Sequence, residues 1–254
     1  MKPWAYKITA AIPHLNTIEP LKMCVELLLA QSERPYILII DTGSTADALE
    51  ELVAMRADNV EIHFISAHAY RHASEPVAVA LDLAQSLCRS ERLFHTHSDC
   101  FLRRSDFLAD TAKICGPSHP VVGYRLSPRN WATTEWEWMV GHTATMCYMP
   151  TIHRIGATWS FQRIHHAFGI PWHVAPGWPD TEVGFNYALR DAAILPVFIG
   201  CDRNFERQVD DNIDHVRSFS LSKLNNLDYF EQAKAWMEIA LEEGRRRLEG
   251  QVSS

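Results

Sequence analysis

Residues Leu93–Leu102 read LFHTHSDCFL: an apolar lead-in runs into His95, His97 and Asp99 at alternating positions before apolar residues resume. Side chains along a strand alternate between faces, so a strand through this stretch is expected to present all three groups on one face at its carboxyl end. In open α/β sheets, ligands bind just outside the carboxyl ends of the strands. Two imidazoles and a carboxylate at such a place point to a divalent cation, and through it to a diphosphate. Asp99 with His97 is the expected ligand pair. His95, deeper in the strand, is expected to be structural.

Upstream, one rhythm repeats. Lys7–Ile12 (KITAAI) is an apolar run stopped by Pro13, which predicts a first strand ending in the loop 13–17. Thr17 is then a candidate N-cap, Pro20 suits a first helical turn, and Leu21, Cys24, Val25, Leu28 and Leu29 recur along one helical face. Tyr36–Ile40 (YILII) is β-branched, apolar and too short for a helix, and so predicts a second strand. It ends in Asp41–Asp47 (DTGSTAD), where Gly43 supplies backbone freedom and Ser44 or Thr45 can cap a helix over Ala48–Met55. Val60–Ile65 alternates as a third strand, and Ser74-Glu75-Pro76 opens a helix with Val77, Ala80, Leu81, Ala84, Leu87 and Cys88 on its apolar face. Strands alternating with helices predict a parallel sheet covered on both faces.

After the fourth strand and a helix over Ser105–Cys115, Gly116-Pro117 changes the rhythm. Val121–Leu126 and Thr143–Met149 read as strands, and between them Asn130–Val140 (NWATTEWEWMV) concentrates Trp131, Trp136 and Trp138. Aromatic faces stack on sugars and bases, so this loop suits an acceptor platform; it equally suits a hydrophobic plug over the sheet. A short helix falls within 152–169, and another runs over Val183–Arg190 with Asp180 or Thr181 as its cap. Ile194–Ile199 reads as a strand, 202–216 as a polar and charged segment, and Asp228 as the cap of a C-terminal helix.

A chain of 254 residues can bury a full core, and a single large α/β domain is the favoured reading. With 47% hydrophobic and 22% charged residues, extended disorder is excluded. The net charge of −7 argues against a general nucleic-acid-binding face and means that an anionic ligand needs a metal or local cations. Six cysteines without a C-x-x-C pair read as reduced thiols, no signal peptide is evident, and no apolar run approaches the ~20 residues of a membrane span, so a cytoplasmic protein without a transmembrane segment is expected.

Three stretches, ITAAIPHLN, YILIIDTGSTAD and LFHTHSDCFL, resemble in order and spacing the nucleotide-binding half of GT-A fold glycosyltransferases, especially the inverting family 2 enzymes. The matching residues are Pro13 and Asn16, then Asp41, Gly43, Ser44, Thr45 and Asp47, then His97 and Asp99 in place of the family's D-x-D. Pro179-Asp180-Thr181-Glu182 is similar to the family's acidic E-D motif at the head of a helix. The resemblance covers residues 7–110 well and continues more weakly to 216.

It implies a GT-A (Rossmann-like) α/β/α sandwich with a mostly parallel central sheet and a C-terminal helix. The GT-A domain would span 1–220, with a nucleotide-binding half over 1–115 and an acceptor half over 116–220; 221–254 would form the C-terminal helix and tail. The implied activity moves a sugar, with inversion, from a UDP- or GDP-sugar donor to an acceptor hydroxyl. Pro13, Asn16, Asp41, Gly43, Ser44, Ser98 and Asp99 would contact the nucleotide. Asp99, His97 and the late His215 would hold Mn²⁺ or Mg²⁺, Asp180 would be the catalytic base with Glu182 as the neighbouring carboxylate, and Trp136 and Trp138 would face the acceptor. The acceptor would be a glycan, a lipid-linked saccharide, a small molecule or a modified nucleic acid.

The chain departs from the family at three places: His97 replaces the first aspartate of D-x-D, the asparagine that commonly helps the phosphate region is not evident in the helix beginning near Glu75, and Pro179 replaces the glutamate of E-D. Imidazole ligates Mn²⁺ well and Mg²⁺ less readily. Three competing readings follow. A nucleotidyltransferase of similar build would carry a glycine- and basic-rich phosphate loop, which residues 7–20 lack. A zinc hydrolase would show tight ligand spacing such as H-E-x-x-H, which the thirteen histidines do not. A non-catalytic GT-A module that binds a nucleotide or glycan is compatible with the altered D-x-D.

Overall fold

Apolar runs separated by helix-capping turns build a seven-stranded sheet. The computed structural model describes residues 5–65, 75–126, 138–159, 181–202, 207–216 and 227–252. Its first half comprises β1 (Ile8–His14), α1 (Ile18–Leu29), β2 (Tyr36–Asp41), α2 (Ala46–Ala54), β3 (Val60–Phe64), α3 (Glu75–Leu87) and β4 (Arg92–His95). There follow β5 (Cys100–Leu102), α4 (Phe107–Ile114), β6 (Val121–Leu126), β7 (Thr145–Tyr148), α5 (Met149–Ile155) and α6 (Glu182–Asp191). The chain closes with β8 (Val197–Asp202), β9 (Arg207–Val209), β10 (Ile213–Val216) and α7 (Leu227–Val252).

The large sheet has the order β3-β2-β1-β4-β7-β6-β8. β1, β2, β3 and β4 run parallel, β7 is antiparallel to both of its neighbours, and β8 is parallel to β6. The chain moves outward from β1 through β2 to β3, then returns to lay β4 on the other side of β1. That reversal opens a crevice at the carboxyl ends of β1 and β4, where doubly wound sheets bind ligands.

Strand alternation sorts the core into two layers. Ile8, Ala10, Ile12, Ile37, Ile39 and Phe94 pack on one face against α1, α2, α4 and α7. Ala11, Ile40, Leu93 and Cys147 pack on the other against α3, α5 and α6. Every residue of β2 is buried, which is why it reads in sequence as an unbroken apolar run. Close approach is demanded at Gly123 in β6, where a Cβ would collide with Thr145 Oγ1 and Val140 Cγ2.

Two expectations need correction. β4 ends at His95, so the alternation assumed through Asp99 stops there: 96–99 leave the sheet in a turn closed by Cys100 N–H donating to the His97 carbonyl (3.2 Å). His95 therefore points into the core, edge-on to Trp159 with ring centroids 5.3 Å apart, and burial pushes its imidazole down to about 3. The second correction concerns 202–216, expected as a polar segment. β9 and β10 lie there, joined to β5 in a small antiparallel sheet ordered β5-β10-β9. Its charges are internally satisfied: Asp214, fully buried, accepts from Arg207 Nε at 2.8 Å and Nη2 at 2.5 Å. Asp210 closes the β9–β10 turn by accepting from the backbone of Asn212 and Ile213 (2.8 and 3.0 Å) and from the Tyr124 hydroxyl (3.0 Å).

Candidate metal and nucleotide site

At the crevice, the loops after β1 and β2 are laced together. Asn16 adopts φ +55°, a left-handed conformation asparagine tolerates. Its amide donates to Ser44 Oγ (2.9 Å), and its side-chain oxygen accepts the Thr45 N–H (2.8 Å). Asp41 folds the second loop as an Asx-type turn: its carboxylate accepts from the amides of Gly43 and Ser44 (3.0 Å each) and from the Ser44 hydroxyl. Gly43, at φ +111°, supplies the backbone freedom this turn requires. The P-x-x-N and D-x-G-S-T patterns thus form one hydrogen-bonded unit beside Pro13.

His14 sits between that unit and the metal residues. It is 1% exposed, and burial lowers its imidazole to about 4 although the Asp41 charge acts in the opposite direction. Thr17, expected as an N-cap, makes no cap bond. Its hydroxyl instead approaches His14 Nδ1 (3.4 Å) and bonds Ser98 Oγ (2.9 Å), which ties the first loop to the fourth.

The turn after β4 and the strand β10 then meet. His97, Asp99 and His215 each offer one ligand atom, and these atoms lie within 4.8 Å of one another. His215 Nε2 is 3.5 Å from Asp99 Oδ1, and His97 Nδ1 is 3.8 Å from the same oxygen. Strand pairing makes this contact: His215 lies opposite Cys100, and Val216 N–H donates to the Asp99 carbonyl (3.0 Å). His215 is not a surface residue but 2% exposed, and neither of its ring nitrogens makes a hydrogen bond with a described residue. A buried imidazole with no hydrogen-bond partner beside a carboxylate fits a cation, because a metal satisfies the lone pair that the protein leaves open. Two imidazoles and one carboxylate form a donor set suited to Mn²⁺ and neighbouring transition metals.

A residue not singled out in the sequence completes the surroundings. His142 Nδ1 lies 2.7 Å from Glu182 Oε1, and its ring packs on that of His97 at 4.3 Å between centroids. Nothing in the local sequence marks this histidine, because its partner Glu182 heads α6 far along the chain. Asn186 clamps α6 to the segment before His142, accepting from Val140 N–H (2.9 Å) and donating to Val140 O (2.8 Å). Trp159 stacks on Phe185 of the same helix, 4.1 Å apart and 5° from parallel.

The remaining expected residues divide. Trp138 is half-buried, edge-on to Tyr187 (5.8 Å), with the Arg190 guanidinium over both rings at 5.7 and 4.1 Å. Asp180 and Trp136, with Trp131 and Pro179, lie outside the described residues.

No protein-family model matches the sequence, and no curated protein matches it. Solved structures do. The chain is similar to the mannosyltransferase PcManGT from Pyrobaculum calidifontis, solved in complex with GDP-Man and Mn²⁺, at TM-score 0.52 and 14% identity over 99% of this chain and 78% of that one. A mycobacterial protein gives TM-score 0.50 and 14% identity over 82% of this chain and 70% of that one. S. aureus TarS is a weaker likeness, at TM-score 0.45 and 13% identity over 60% of this chain; the chain spans 30% of the length of that structure and 50% of the shorter TarS 1–349. Together with the strand order and the reversal at β1 and β4, the likeness shows that this chain has the GT-A fold of glycosyltransferases.

Proposed function

We propose that this chain transfers a sugar from a nucleotide-sugar donor to an acceptor hydroxyl with inversion. The observation that carries the reading is the His97, Asp99 and His215 set at the crevice of a GT-A sheet. Its fold relative PcManGT, bound to GDP-Man and Mn²⁺, supports a nucleotide diphosphate sugar as donor and Mn²⁺ as the ion, with Mg²⁺ the weaker fit to imidazole. Asp99, His97 and His215 hold the cation, which when bound neutralises the charge growing on the diphosphate leaving group. Pro13, Asn16, Gly43 and Ser44 shape the nucleotide edge, with Asp41 fixing their turn and Ser98 presenting its hydroxyl beside Asp99.

In this reading Asp180 takes the proton of the acceptor hydroxyl as it attacks the anomeric carbon from the face opposite the leaving group. Glu182, buried against His142, is the less suited base. Trp136 and Trp138 belong to the acceptor side, within an acceptor half over 116–220 that follows a nucleotide-binding half over 1–115. Among the described residues no helix is long and apolar enough to cross a membrane.

Thermal unfolding with UDP, GDP and CDP, each with Mn²⁺ or EDTA, tests the reading. One nucleotide at a hundredfold excess over its Kd should stabilise the protein by ~2.7 kcal/mol only when the ion is present. Asp99→Asn should remove that gain, and Asp180→Asn should keep it while abolishing transfer. No response to any nucleotide rejects the transferase, whereas binding without transfer by the wild-type chain identifies a non-catalytic GT-A module.

A further inference from the structure

His97 stands on a turn beyond the end of β4, so strand pairing does not fix its ring. It is also the most exposed of the three metal-site side chains, at 25% against 7% for Asp99 and 3% for His215. What lies against it is the His142 ring, 4.3 Å away and tilted by 37°. His142 is itself held from behind. Glu182 Oε1 is 2.7 Å from its Nδ1, an ion-pair approach whose angle lies outside hydrogen-bond geometry, with side-chain exposures of 12% for the histidine and 9% for the glutamate. Trp159 meets the same ring edge-on at 6.0 Å.

Glu182 is equally constrained. It begins α6, whose Asn186 makes bonds to both the N–H and the carbonyl of Val140, two residues before His142. The Trp159–Phe185 stack closes the other side. A column therefore runs from the head of α6 through Glu182 and His142 to the His97 ring. Its buried, paired carboxylate is placed to orient an imidazole rather than to meet an acceptor hydroxyl.

We propose that the Glu182–His142 pair is a positioning device for the metal site: it holds the His97 imidazole in its ligating orientation and couples that orientation to the start of α6. The proposal rests on His97, Asp99 and His215 being the metal ligands. Neither member of the pair ligates the ion. Outer residues that set the orientation of a ligating histidine typically change metal affinity 10–100-fold when removed.

The test measures Mn²⁺ affinity of the full chain without nucleotide, following the electron paramagnetic resonance signal of free Mn²⁺, alongside the metal-free Tm of each variant. Glu182→Ala and His142→Ala should weaken Mn²⁺ binding at least about tenfold. Glu182→Gln, which keeps an oxygen at the contact with His142, should restore most of the affinity. Mn²⁺ affinity equal to wild type in both alanine variants overturns the proposal, as does a lowered metal-free Tm with unchanged affinity, which marks a role in folding alone. Should His142→Ala fail to fold, the Glu182→Ala and Glu182→Gln pair decides, since both leave the ring in place. A wild-type chain that binds no Mn²⁺ rejects the metal site itself and this proposal with it, a result distinct from a site that binds equally well without the pair.

Discussion

Arg207→Met is expected to destabilise the fold by about 3–5 kcal/mol, the cost of stranding a buried charge. Asp214 is fully buried on β10, and Arg207 meets both of its oxygens, at 2.8 and 2.5 Å. The next cation, Arg247 of α7, stands 3.7 Å from the carboxylate, beyond hydrogen-bonding distance. Loss of Arg207 therefore leaves Asp214 buried with only its longer ion pair to Arg247. The same loss removes the 3.3 Å contact of Arg207 with Glu243, which keeps its hydrogen bond from Arg247 (3.0 Å). Asp214→Leu combined with Arg207→Met removes both charges, and should recover much of the loss because an apolar pair no longer needs pairing. Urea unfolding of wild type, both single variants and the double variant forms a double-mutant cycle with an expected coupling of about 1–3 kcal/mol. A loss below about 1 kcal/mol for Arg207→Met would class the contact with exposed ion pairs and refute the reasoning. His215 follows Asp214 directly on β10, so the same variant should also weaken Mn²⁺ binding.

Stability should fall on acidification through His14. Its folded value of about 4 lies below the ordinary 6.5, so between these the unfolded chain takes a proton the folded one refuses; stability is complete above pH 6.5 and drops by ~1.4 kcal/mol per pH unit towards pH 4. His95, lowered to about 3, adds a similar slope over the same window, so His14→Gln should remove about half of it in urea unfolding, and parallel profiles for variant and wild type would reject the assignment. Gly123→Ala should cost about 1–3 kcal/mol, since its Cβ meets Thr145 Oγ1, which is held in place by donating to the Gly141 carbonyl (2.7 Å). Gly116→Ala, with nothing near its Cβ, is the control, and equal Tm values for the two would contradict the close approach of β6 and β7. His97→Asp should shift metal-dependent stabilisation from Mn²⁺ towards Mg²⁺; an unchanged Mn²⁺ to Mg²⁺ ratio would remove His97 from the ligand set.

The first half of the fold was legible because β1 and β2 are buried on both faces and β3 alternates. β1 and β2 read as short, mostly apolar runs, and the turns after them carry their own chemistry in Asn16, Asp41 and Gly43. The small sheet was hidden for the opposite reason. β9 and β10 are short and carry Arg207 and Asp214, whose charges look solvated in sequence and become compatible with burial only through each other and α7. Strand direction was equally invisible: Val121–Leu126 and Thr143–Met149 announce strands, but no local pattern says that β7 runs against β4 and β6. The His142–Glu182 contact joins two residues that no motif links.

Charge explains how a site with one carboxylate can serve a chain of net charge −7. A divalent ion held by two aspartates and a neutral histidine has its charge cancelled by its own ligands. Held by Asp99 and two neutral imidazoles, as proposed, an ion would keep one positive charge for a diphosphate. Asp41, on the nucleotide edge, has its oxygens occupied by the amides of Gly43 and Ser44 and the Ser44 hydroxyl, and these donors disperse its charge within the turn. His14, kept neutral by burial, adds no charge between them. With His97 as a ligand in place of the first aspartate of D-x-D, the proposed site would exchange affinity for a hard ion for a stronger field at the leaving group, a field that would depend on the His97 ring being held where the ion needs it.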